Sequence, residues 1–122
     1  VLCVENEPQV LAGMEALLSG WGCHVLTAPG REQALALING TRTRPDALLV
    51  DYHLDDGNGI ETIVALRRKL GGIPAALVTA DRSPAVRNEA RAKDVQVFNK
   101  PVKPAALRAF LAQWRMARPA AE

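Results

Sequence analysis

Cysteine is scarce in this chain, its charges nearly cancel, and it has no long apolar run. Only Cys3 and Cys23 occur among 122 residues. Both stand in apolar, strand-like stretches, so they read as buried reduced thiols of a cytosolic protein rather than a structural disulfide. A formal net charge of +2 is too small to argue for a nucleic-acid partner. No apolar run approaches the roughly 20 residues of a membrane span, and no signal-peptide pattern is present, so this segment is not expected to touch a membrane. The length suits one domain with a real core and is too short for two. The first residue is Val1 rather than Met, inside an apparent strand, which reads as a domain from a longer polypeptide. Residues 1–117 are expected to form the domain and Arg118–Glu122 a frayed tail or the start of a linker.

What is present is a regular alternation of apolar runs and helical stretches. Val1-Leu2-Cys3-Val4 reads as a strand that stops at Glu5-Asn6-Glu7. Pro8 then suits a first helical turn, and Val10, Leu11, Met14, Leu17, Leu18 and Trp21 mark a helix over 8–20. Residues 23–27 read as a second strand and 31–39 as a second helix through Ala34, Leu35, Leu37 and Ile38. A polar loop, 41–45, leads to Ala47-Leu48-Leu49-Val50-Asp51, an apolar run of the kind buried on both faces of a parallel sheet. Asn58 or Gly59 opens the third helix, with Ile60, Ile63, Val64, Leu66 and Leu70 inward. Residues 73–78 form a fourth strand ending in Thr79-Ala80-Asp81. Ser83-Pro84 caps a weakly apolar helix over 84–92, which is expected to be the most loosely held. Residues 95–98 form the fifth strand and end in Asn99-Lys100-Pro101. Pro104 starts a last helix with Leu107, Phe110, Leu111 and Trp114 inward. Five strands alternating with five helices, joined by right-handed crossovers, imply a doubly wound α/β domain with a parallel sheet.

In such a sheet all strand carboxyl ends share one edge, where ligands bind. Glu5, Asn6, Asp51, Thr79 and Lys100 therefore meet there, although they are far apart in sequence. Taken alone, Asp51 reads equally well as a helix cap or a loop carboxylate; the other strand ends give it a context. Two carboxylates and an amide oxygen suit a hard cation such as Mg²⁺. A lysine and a threonine hydroxyl suit the oxygens of a phosphoryl group, and a carboxylate beside a metal can itself accept that group. His24 and His53 stand at unrelated positions and read as surface or loop residues. Arg82, Arg87, Arg91 and Lys93 read as a solvated helix face, with docking of an acidic partner as the alternative.

With Glu5-Asn6-Glu7-Pro8, Asp51 followed eight residues later by Gly59, Thr79-Ala80 and Lys100-Pro101, the chain resembles the response-regulator receiver family over essentially its whole length. The resemblance implies a flavodoxin-like sheet in the order 2-1-3-4-5. It implies that Asp51 is the phosphoacceptor, and that Asn6, Asp51 and the His53 backbone carbonyl are Mg²⁺ ligands. Glu5 would hold the metal's waters or reach the metal, Thr79 and Lys100 would contact phosphoryl oxygens, and Lys100-Pro101 would be cis. The partner implied is a histidine kinase core or a histidine phosphotransfer domain, and the domain would promote its own phosphorylation and dephosphorylation. Gly20-Trp21-Gly22-Cys23 and residues 99–104 look most like receivers of hybrid sensor histidine kinases.

Three positions depart from the family pattern. Glu5-Asn6 replaces the usual Asp-Asp, which puts metal affinity in question. Asp55 stands four residues after the acceptor, where proline is usual. Val97 stands where a switch aromatic is usual, with Phe98 one place later on the other sheet face. Two further classes follow from these residues. A pseudo-receiver would keep the fold as a non-phosphorylated binding module. A flavodoxin-like FMN carrier is disfavoured, because Glu5-Asn6-Glu7 would repel a phosphate after the first strand.

Overall fold

The alternation expected from the sequence is realised in a computed structural model that describes residues 1–40, 44–55 and 57–117, with side-chain surroundings described through residue 112. In chain order the elements are β1 (Leu2–Val4), α1 (Pro8–Gly20), β2 (Leu26–Ala28), α2 (Arg31–Gly40), β3 (Leu48–Asp51), β4 (His53–Leu54), β5 (Gly57–Asn58), α3 (Gly59–Leu70), β6 (Ala75–Thr79), α4 (Pro84–Ala92), β7 (Gln96–Asn99) and α5 (Pro104–Ala117). Five strands form one parallel sheet in the order β2-β1-β3-β6-β7. Because β4 and β5 pair only with each other, this is the expected 2-1-3-4-5 order once that ribbon is set aside. The sequence does not mark this ribbon, because two-residue strands are too short to leave a period.

Side chains alternate across a strand, and the sheet separates two apolar layers accordingly. Leu2, Val4, Leu48, Val50, Ala75 and Leu77 pack on one face with residues of α2, α3 and α4. Cys3, Leu49, Ala76, Val78 and Phe98 pack on the other with Leu18, Leu107, Phe110 and Leu111 from α1 and α5. Val97 joins the first layer and Phe98 the second, as their alternation requires. On α1, Leu11, Met14 and Leu18 face the sheet, whereas Val10, one residue and 100° round from Leu11, stays 37 % exposed. The predicted inward placement of Trp114, the loop residues 41–43 and the tail 118–122 lie outside the described residues and side chains.

The boundaries shift where pairing partners run out. The second strand begins at Leu26 rather than 23, because only Leu26, Thr27 and Ala28 have partners in β1. Strands β6 and β7 each run one residue further than expected, to Thr79 and Asn99, which pair with one another. The Lys100 N–H extends the ladder to the Thr79 carbonyl at 2.8 Å.

Helix α3 has a capping box at its start: Glu61 N–H donates to Asn58 Oδ1 and Asn58 N–H to Glu61 Oε1, at 2.9 and 3.2 Å. Near its end Arg67 acts as a staple. Its guanidinium donates to the carbonyls of Ile73, Lys93 and Asp94 at 2.6 to 3.0 Å. This ties α3 to the turn before β6 and to the end of α4. No local pattern announces such a clamp, since its far acceptors lie 26 and 27 residues away.

Cys3 and Cys23 are both free thiols, the first buried and the second partly exposed. Burial foremost pushes the Cys3 thiol up to about 12, which leaves roughly one thiolate in ten thousand at pH 8. Native protein treated with a thiolate-selective reagent at pH 8 should carry label at Cys23 only, and both sites should label in denaturant. Labelling of native Cys3 at the rate of Cys23 would contradict its burial.

Candidate functional site

The carboxyl edge of the sheet carries the chemistry. β1 ends at Val4 and hands Glu5 to the edge, β3 ends on Asp51, β6 on Thr79, and Lys100 follows β7. Glu5, Asp51 and Thr79 are buried, with Asp51 only 4 % exposed. Lys100 Nζ lies 2.8 Å from Asp51 Oδ1 and 3.7 Å from Glu5 Oε1. The closer contact is a buried ion pair, and beyond it Asp51 Oδ1 has no hydrogen-bond partner among the described residues.

The electrostatics follow from this crowding. Burial, and then the neighbouring Asp51, raise the Glu5 carboxyl, while the Glu7 N–H and Lys100 oppose the shift. The Glu7 N–H reaches Glu5 Oε2 at 3.1 Å. Burial alone would lower the Lys100 ammonium, but contact with Asp51 and the charges of Asp51, Glu5 and Glu7 outweigh it and raise it. Two carboxylates share one ammonium, which leaves a net negative charge in a site of oxygen donors. With the amide of Asn6 next to Glu5 in the chain, this set of oxygen donors fits a hard divalent cation. Among the described residues no three His, Cys, Asp or Glu side chains cluster as a metal site on their own.

Two further expected members carry hydrogen bonds of their own. Thr79 Oγ1 accepts from the Asp81 N–H at 2.9 Å, and Asp81 Oδ1 in turn accepts from the Ser83 N–H at 2.8 Å. That second bond, first, and the Ser83 side chain hold the Asp81 carboxyl below its ordinary value. Ser83 itself makes no side-chain cap on α4, contrary to the simplest reading of Ser-Pro. Asn6 Nδ2 donates to Asp55 Oδ1 at 3.1 Å. His53 is exposed in β4, and Lys100-Pro101 is cis.

Gly59 explains the spacing of eight residues after Asp51. A Cβ at Gly59 would fall on the Asp51 carbonyl oxygen and 2.8 Å from Leu77 Cδ1. The Gly59 N–H donates to the Tyr52 carbonyl at 2.8 Å. Helix α3 can start this close to the end of β3 only without a side chain there.

The response regulator receiver domain profile matches residues 1–112. The chain belongs to that family. Among curated relatives, the transcriptional regulatory protein PrrA of Mycobacterium leprae is 36% identical over 83 residues, 68% of this chain and 35% of that protein. The phyllosphere-induced regulator PhyR of Methylorubrum extorquens is 29% identical over 115 residues, 93% of this chain and 42% of that protein. The chain thus spans well under half the length of these two relatives. The chemotaxis protein CheY4 of Vibrio cholerae has a structure with a TM-score of 0.81 at 24% identity, covering 92% of this chain and 94% of that one, which shows the shared fold.

As a receiver, this chain brings Glu5, Asp51 and Lys100 into contact as expected. It leaves Thr79 hydrogen-bonded within its own loop and turns Asn6 toward Asp55. Asp81 and the pairing role of Asp55 were not foreseen. Asp55 showed in the sequence only as an unusual residue, because its partner lies 49 positions away.

Proposed function

We propose that this receiver domain takes a phosphoryl group from a phosphohistidine onto Asp51 with Mg²⁺, and changes its partner contacts as a result. The donor is a histidine kinase core or a histidine phosphotransfer domain. One observation carries this above the others: Asp51, 4 % exposed, ends β3 at the carboxyl edge of the sheet, with the Lys100 ammonium 2.8 Å from its Oδ1 and Glu5 on the same ammonium.

The Asp51 carboxylate forms the new P–O bond as the P–N bond to the imidazole breaks, and the imidazole leaves with its electron pair. Lys100, already held at the site by Asp51 and Glu5, neutralises charge on the transferred oxygens. The Thr79 hydroxyl still has its proton to donate, since the Asp81 N–H occupies only its acceptor side. Glu5, Asn6, Asp51 and the His53 backbone carbonyl would hold the Mg²⁺, which supplies further charge neutralisation on the phosphoryl oxygens. Positioning and electrostatics account for the catalysis, as in other phosphoryl transfers. The test is intact mass after incubation with a small acyl phosphate and Mg²⁺, which should show one added phosphoryl group.

The rival pseudo-receiver reading draws on Asn6, which weakens the acidic pair and is engaged by Asp55. It predicts an unchanged mass. Residues 20–23 and 99–104 resemble hybrid-kinase receivers, whereas the relatives above are named as regulators. The chemistry at Asp51 is the same in either parent.

Val97 has no ring to swing inward, so the signal of phosphorylation should leave through Thr79, the Asp81–Ser83 turn and α4, whose only buried residues are Val86 and Ala90. Hydrogen exchange with and without a phosphoryl mimic should change over residues 79–93. A change confined to a distant helix would rule this route out.

A further inference from the structure

Asparagine can present either end of its amide to a cation, and only the oxygen is a ligand. Asp55 removes that ambiguity. An ionised carboxylate accepts hydrogen bonds and cannot donate them, so Asn6 meets Asp55 Oδ1 through Nδ2, at 3.1 Å. Rotating the amide by 180° would set oxygen against oxygen. Asn6 follows β1 and Asp55 lies in the ribbon loop after β3, so the contact bridges two of the loops that form the site. Both residues depart from what the family resemblance implies, and the structure shows that they meet.

We propose that Asp55 is a positioning residue for the cation site: it holds the Asn6 amide nitrogen, leaving the amide oxygen for the cation, and its charge offsets the carboxylate missing at position 6. The proposal rests on the cation-binding reading of Asp51 and its neighbours. It makes residues 6 and 55 one unit. Asp55 polarises the Asn6 amide through the hydrogen bond, which strengthens its oxygen as a donor. Its charge also adds attraction for a dication at longer range, screened by salt.

The pairing gives Asn6→Asp two opposing effects. That change alone supplies a direct carboxylate ligand, but it also sets two carboxylates where a hydrogen bond stood. Without a cation the repulsion destabilises the fold; with a cation it is relieved. Asn6→Asp should therefore bind Mg²⁺ more tightly and melt lower in chelator. Adding Asp55→Asn restores a donor–acceptor pair with the roles exchanged, and should recover the chelator melting temperature.

The experiment is calorimetric Mg²⁺ titration at low salt, with melting in chelator, on the 122-residue chain and its variants. Asp55→Ala should weaken Mg²⁺ roughly three- to tenfold with little change in melting, and Asp55→Glu should recover most of the affinity. Asn6→Asp should melt roughly 2–6 °C lower in chelator, and Asn6→Asp with Asp55→Asn should melt like wild type. Equal Mg²⁺ affinity for wild type and Asp55→Ala overturns the positioning role while leaving the cation site intact. So does an Asn6→Asp melting loss that is the same with either residue at 55. A wild-type chain that takes up no Mg²⁺ overturns the cation-site reading itself, and the role of Asp55 with it.

Discussion

Asp51→Asn will stay folded and take up no phosphoryl group. The substitution keeps the shape of a side chain that is 4 % exposed, so packing in the sheet is preserved. It removes the nucleophile, because an amide oxygen offers no carboxylate charge for attack on phosphorus. It also removes one of the two negative charges that hold Lys100. A unit charge about 4 Å from another is worth ~4 kcal/mol at an effective dielectric of 20. Desolvation takes back part of that, and a loss of at least roughly tenfold in Mg²⁺ affinity is expected. Intact mass after treatment with a small acyl phosphate should shift by one phosphoryl group in wild type and not at all in Asp51→Asn. The same shift in both proteins would move the acceptor to another residue and end the assignment of Asp51.

The second large effect is on stability, from the smallest possible change at Gly59. Gly59→Ala places a methyl on the Asp51 carbonyl oxygen and 2.8 Å from Leu77 Cδ1. One neighbour is backbone and the other belongs to a fully buried leucine, so neither can move freely. Overpacking costs about 1–3 kcal/mol, and a clash with backbone belongs at the top of that range. For a domain of this size, ~3 kcal/mol lowers the melting temperature by roughly 10–15 °C. Because the displaced carbonyl is that of Asp51, phosphorylation should also slow in the fraction that remains folded. Gly13 supplies the control, since a Cβ there meets nothing within 4 Å in the middle of α1. Gly13→Ala should stabilise by about 0.5–1 kcal/mol. Opposite signs for the same chemical change would show that the effect at Gly59 comes from its place against β3. A melting temperature for Gly59→Ala within a degree of wild type would show that α3 has room to withdraw.

Much of the site is legible in the sequence, because a parallel sheet collects its strand ends whatever the loops contain. Glu5, Asp51 and Lys100 lie far apart in the chain, yet each follows an apolar run, and strand order alone brings them to one edge. The helices were legible for a similar reason: Ile60, Ile63, Leu66 and Leu70 keep a helical period, and all four are buried. The β4–β5 ribbon, the short β2 and the single-residue extensions of β6 and β7 were not legible. Their limits depend on which backbone groups find partners across the sheet.

What the sequence determined by itself, then, is the layer architecture and the residue types at the carboxyl edge, since both follow from local periodicity and from punctuation by Pro and Gly. Tertiary structure decided how those residues are joined. It put Lys100 2.8 Å from Asp51, turned Thr79 toward the Asp81 N–H and turned Asn6 toward Asp55. It also made Gly59 a steric requirement of β3 rather than a feature of its own turn, and gave Arg67 its acceptors on three separate residues. These contacts join groups from 2 to 49 positions apart. Local pattern carries no record of which side chains will meet, because a side chain's direction is set by the packing of its element against the rest of the fold.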